Sequence, residues 1–123
     1  MKESATNHKL LSQHDLEFHK IIFDAAGNRV CGMLFTVIHQ SLHNLIEVTS
    51  RLVPVEHTLQ LHRRIYNAIL QGKPDEARKR MQEHLADAKV LLSRASEERS
   101  NSQLQSRISE LVSRPLRLPA QQG

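Results

Sequence analysis

Asp15 and His19 stand four residues apart. At about 100° of turn per residue their side chains lie together on one helical face. That face is also the apolar one, shared with Leu11, Phe18, Ile22 and Ala26. An inward carboxylate must be paired, protonated or bound to a cation, because an uncompensated charge in an apolar core is costly. Two further histidines, His62 and His84, fall in the middle of apolar stripes on two later helices. A buried imidazole needs a hydrogen-bond partner or a metal. Together the four place one carboxylate and three imidazoles in the core of a small bundle, a donor set suited to divalent zinc, nickel, iron or manganese. The competing reading is an Asp–His hydrogen bond with the other two histidines merely packed. His57 projects to the polar side of the helix that carries His62. His39 and His43, also spaced i, i+4, lie on a more polar flank and read as surface residues, although that spacing could hold a metal.

The elements that position these residues are helical. Residues 62–85 read as the end of one helix, a break at Gly72-Lys73-Pro74, and the start of another. Glycine supplies the left-handed position that ends a helix, proline fits the first turn of the next, and Asp75 and Glu76 then sit where the helix dipole favours negative charge. Val55, Leu59, Ile65, Tyr66 and Ile69 form the stripe around His62. Ala77, Met81, Leu85, Ala88, Leu92 and Ala95 form the one around His84. Upstream, Ser12 with Asp15 resembles a capping box, so a helix starts near there if not earlier. Gly27 ends it and Asn28 caps the next. That next helix spans about Arg29 to Ser50, with apolar positions over more than half its circumference, as in a helix central to a bundle or shared with a partner subunit. Pro54 opens the third helix, and the fourth runs from Pro74 to about Arg94. Leu104, Ile108, Leu111 and Val112 would make a separate short amphipathic helix within 98–113, and residues 114–123 a flexible tail. The expected fold is therefore all-α, an antiparallel helical bundle over residues 1–97.

The chain has 123 residues, enough for one domain with a core. Its single cysteine, Cys31, excludes an internal disulfide and any cysteine-based zinc cluster. A signal peptide and a membrane span are both missing from the pattern, so a cytoplasmic location is expected. The net charge of +4 invites a nucleic-acid reading, but residues 1–93 carry 12 basic and 10 acidic side chains, mostly interleaved. With no basic stripe, aromatic platform or helix-turn-helix pattern, specific nucleic-acid binding by this chain alone is not expected.

The run Asp15-Leu16-Glu17-Phe18-His19, followed by Ala25-Ala26-Gly27-Asn28, resembles the D-x-x-F-H…A-x-G-N signature of the FadR-type C-terminal domain, FCD, of GntR-family bacterial transcription regulators. His62-Arg63, Ala68-Ile69, Gly72, Ala77-Arg78, Met81 and His84-Leu85 resemble the later part of the same pattern. The likeness spans roughly residues 12–95. It implies an antiparallel bundle of six or seven helices that dimerises and binds a small effector, often a carboxylate. It also implies that Asp15, His19, His62 and His84 ligate a divalent metal; His14 and His57 do not occupy matching positions. Relative to that plan the chain reads as N-terminally truncated, without the winged helix that contacts DNA.

The expected function is thus metal-dependent binding of a small carboxylate effector by a homodimeric, non-enzymatic regulatory domain. Two alternatives use the same residues differently. One is a mononuclear metalloenzyme in a helical bundle, although no general base or nucleophile pair stands out. The other is a metal-free interaction module that binds a partner helix along residues 30–48.

Overall fold

The computed structural model describes residues 2–113, which form four helices: α1 (Lys2–Ala25), α2 (Arg29–Ser50), α3 (Val55–Leu70) and α4 (Pro74–Ser113). No strand occurs among the described residues. Two glycines make the tight reversals, Gly27 at φ +64° and Gly72 at φ +65°. At the second, the Lys73 N–H donates to the Ala68 carbonyl (2.9 Å) and the Gly72 N–H to that of Ile69 (3.0 Å), so the last carbonyls of α3 are satisfied by the turn itself. At the first, the Asn28 side chain accepts from the Val30 N–H at 2.9 Å and the Cys31 N–H at 3.3 Å, capping α2. Pro54 sits one step outside α3 as its extended N-cap, rather than in the first turn.

Short links make α1–α2 and α3–α4 antiparallel hairpins, and α2 packs against α4 to join them. Leu16, Phe35 and Ile46 form the buried cluster between α1 and α2, with Phe23 and Leu42 packed against it. On α3 and α4 the buried apolar residues are Ile65, Ala68 and Leu91. Polar residues are buried in equal number: Ser12, Asp15, Ser50, Thr58, His62 and His84. A full apolar side chain contributes only about 1.5–3 kcal/mol on burial, so a core this small depends heavily on how its polar members are satisfied.

Three further expectations need correction. Ser12 does not cap a helix; α1 begins ten residues earlier, and the Ser12 hydroxyl donates back to the His8 carbonyl at 2.6 Å inside it. The buried face of α3 runs along Thr58, His62, Ile65 and Ala68. Val55, Leu59, Tyr66 and Ile69 are exposed, because α3 turns the edge of its stripe that carries His62 and Ile65 inward and leaves the other edge to solvent. Residues 98–113 are not a separate helix but the continuation of α4, which runs unbroken for 40 residues. Nothing in Ser96–Gln103 is Gly or Pro, and Ser and Asn each cost a helix only a few tenths of a kcal/mol. From Ser96 to Ser113 every residue is exposed. Residues 114–123, the expected flexible tail, lie outside the described residues.

Much apolar surface is left uncovered. On α2, Val30, Met33, Leu34 and Val37 are 56–80% exposed, and Ile38, Leu45 and Val48 are also exposed in part. No helix among the described residues is long and apolar enough to cross a membrane.

A Cβ at Gly72 or at Gly32, within α2, would touch nothing within 4 Å, so backbone conformation alone separates the two. Gly72→Ala should lower unfolding free energy by about 1–2 kcal/mol, because φ is positive there. Gly32→Ala should raise it by about 0.5–1 kcal/mol. Urea unfolding of both variants checks the pair of signs.

Candidate metal centre

The fourth and fifth turns of α1 present Asp15 and His19, the second turn of α3 presents His62, and the third turn of α4 presents His84. Their side chains meet. Asp15 Oδ1 lies 3.2 Å from His19 Nε2 and 3.2 Å from His62 Nε2. His84 Nε2 lies 3.3 Å from His62 Nε2 and 3.2 Å from His19 Nε2. The four contacts close a ring, and all four donor atoms lie within 4.8 Å of one another. Asp15, His62 and His84 are buried, and the His19 side chain is only 11% exposed.

Hydrogen bonding among the four does not account for this arrangement. Asp15 Oδ1 has no aligned donor despite two ring nitrogens beside it. His84 Nε2 faces two other ring nitrogens and has a single proton or lone pair to offer. With metal–nitrogen bonds of about 2.0–2.1 Å, neighbouring donors stand about 3.3 Å apart in a tetrahedron and about 2.9 Å in an octahedron. The four adjacent pairs, at 3.2–3.3 Å, are close to the tetrahedral value and the remaining pairs lie within 4.8 Å, so the group could hold a first-row divalent ion.

Local packing fixes the rings. Phe18 stacks on His62 with centroids 4.1 Å apart and planes within 10°. His19 stacks on His84 at 5.2 Å, and His62 stands nearly perpendicular to both. The protonation states suit a cation. Burial alone would raise the Asp15 carboxyl, but the polar ring nitrogens of His19 and His62, each 3.2 Å away, outweigh it and hold the group well below the usual carboxylate range. Burial, with the neighbouring His62 and His19 rings, pushes His84 down to about 4, and Asp15 and Asp87 offset only part of this. An ionised carboxylate and a free imidazole lone pair are what metal binding requires.

One side of the ring opens on a chamber of about 610 Å³ between α1, α2 and α4. Asp15, His19 and His84 form part of its wall.

The other histidines are elsewhere. His57 is not free on a polar face; its Nε2 pairs with Asp87 Oδ2 at 2.9 Å, tying α3 to α4. His14 lies beside Glu17 at the surface, His39 packs edge-on against Phe35, and His43 stands 3.9 Å from Glu47. Sequence reasoning missed the His57–Asp87 bridge and the chamber, for which no periodic signal exists. Phe18 was placed on the apolar face of the first helix, and the structure stacks it on His62.

The architecture is thus an all-helical bundle in which one carboxylate and three imidazoles converge. The family model described as the FCD domain matches residues 1–87, and the chain belongs to that family, the effector domain of GntR-type regulators. The match takes in all four donors and begins at the first turns of α1, earlier than the motifs alone reach; α4 beyond residue 87 lies outside it. No curated protein and no solved structure gives a significant match.

In chelator-stripped protein the His84 proton links stability to pH. The folded chain takes that proton near pH 4 and the unfolded chain near its ordinary value of 6.5, so the unfolded state is protonated first. Stability should therefore fall as pH drops from about 6.5 toward 4, with the contribution of ionised Asp15 lost only below about 3.8. Thermal melts of stripped protein across that window check it; a midpoint unchanged from pH 7 to 4.5 contradicts it.

Proposed function

We propose that this chain is a metal-dependent effector-binding domain of a GntR/FadR-type transcription regulator. In this reading Asp15, His19, His62 and His84 hold one divalent ion, and a small carboxylate binds at that ion from the chamber. The observation that carries it is the closed ring of four donor atoms opening on a 610 Å³ space. Three neutral imidazoles and one carboxylate leave a divalent ion with a net charge of +1, which favours an anionic ligand. Four protein ligands fill a tetrahedral zinc site but leave two positions on an octahedral ion. When bound, the metal supplies Lewis acidity; the residues around it fix its place and exclude water.

A regulatory role fits better than a catalytic one. Apart from the donors and the Met81 thioether, the chamber wall offers only Cys31, Thr49 and Lys89 as heteroatom side chains. None is paired with a base as an activated nucleophile would be. Association of two copies is part of the proposal, because α2 and α3 leave runs of large apolar side chains exposed, the kind of surface that a second copy covers. The mixed surface charge gives the chain no DNA-reading face of its own.

Elemental analysis of protein purified without a nickel column should give one divalent metal per chain. His62→Ala and His84→Ala should each reduce that content at least tenfold and abolish the rise in melting temperature on adding metal. His57→Ala removes a half-exposed ion pair, so it should keep the metal and lose no more than about 1 kcal/mol. Metal content that survives both donor substitutions, or vanishes with His57→Ala, overturns the assignment.

Sedimentation at tens of micromolar should show a dimer or larger species. A single sharp monomer boundary contradicts the association.

A further inference from the structure

The wall of the chamber is divided. At one end stand Asp15, His19 and His84; along α1, α2 and α4 the remainder is hydrocarbon, with Ile22, Phe23, Leu42, Leu45, Met81 and Leu92 among the residues that line it. Few groups could bind a hydroxyl. The Thr49 hydroxyl already donates to the Ile46 carbonyl at 3.2 Å and keeps only acceptor capacity. Cys31 offers a weak thiol. Lys89 lines the chamber as an exposed residue, and its flexible stem lets the ammonium stay in water rather than turn onto the hydrocarbon wall.

We propose that the effector is a carboxylic acid with a hydrocarbon body of roughly six to twelve carbons, rather than a polyhydroxylated or short hydrophilic acid. This rests on the reading of the four donors as a metal site that accepts a carboxylate. The carboxylate meets the positive end of the chamber, and the body lies along α4 against Leu85, Ala88 and Leu92. A sugar acid of the same length brings a hydroxyl on almost every carbon. Each would exchange water for a wall of Ile, Leu, Phe and Met with no partner to meet it. A hydrocarbon body loses no such bonds and removes apolar surface of both wall and ligand from water. Size points the same way, since a two- or three-carbon acid fills only a small part of 610 Å³ and leaves most of the wall uncovered.

The test is calorimetric titration of the full chain loaded with zinc or nickel, using butyrate, octanoate and gluconate, with the chelator-stripped protein as reference. Octanoate should bind one per chain, at least tenfold tighter than butyrate or gluconate, and stripping the metal should weaken it at least tenfold. Ala88→Leu, a helix-compatible change that fills the chamber, should erase the advantage of octanoate over butyrate while metal content stays at one per chain. Gluconate or butyrate binding as tightly as octanoate, in a metal-dependent way, overturns the hydrocarbon class and leaves the carboxylate reading standing. If no acid binds, or all bind equally without metal, the metal-dependent carboxylate reading itself fails, and this inference with it. Should Ala88→Leu fold poorly, the chain-length series on the unaltered protein decides the matter alone.

Discussion

Four polar side chains drawn from three helices meet at a point in the interior, and the packing of those helices depends on how that meeting is satisfied. Three imidazole nitrogens and a carboxylate oxygen, each about 3.2 Å from two others, cannot be reconciled by protons alone. The surrounding core is too slight to absorb such a conflict, with as many buried polar residues as buried apolar ones. A cation at that point would act as a cross-link among α1, α3 and α4, joining segments up to 69 residues apart in the chain (84 − 15). Function and stability are then one property, because whatever occupies the centre also decides how firmly the two hairpins are clamped.

The division of labour among the helices follows from this. α3 and α4 form a hairpin whose turn is satisfied by its own backbone, so the positions of His62 and His84 are set locally. α1 reaches across from the other hairpin, and Phe18 stacking on His62 aligns the two halves before any ligand is involved. α2 contributes nothing to the donor set. Its work is to wall the chamber on one side and to present Val30, Met33 and Val37 outward on the other.

Much of this was legible in the sequence because it depends on period and punctuation. Asp15, His19, His62 and His84 could be picked out since each interrupts an apolar stripe, and an interrupted stripe is visible without coordinates. Gly27-Asn28 and Gly72-Lys73-Pro74 marked the reversals through turn chemistry that is local by nature. What stayed hidden was relational. A stripe shows that a face is apolar but not which edge of it the neighbours cover, so Leu59, Tyr66 and Ile69 were expected inside and lie outside. Ser12 and Asp15 have the spacing of a cap, yet a helix already in progress uses the same serine for a bond to His8. The continuity of α4 through Ser96–Gln103 was missed because Ser and Asn discourage a helix without stopping one. The His57–Asp87 bridge joins residues 30 apart and left no periodic trace.

The 40-residue length of α4 has a mechanical consequence. At 1.5 Å per residue it is a rod about 60 Å long, clamped near one end by His84. Ser113 stands 29 residues beyond that clamp (113 − 84), or roughly 44 Å along the axis. If the rod stayed straight, a tilt of only about 5° about the His84 fulcrum would sweep its far end through about 4 Å, comparable to the helix shifts that separate regulatory states. The bundle thus carries a lever arm, with the four-donor cluster near its fulcrum and residues 96–113 exposed along its length.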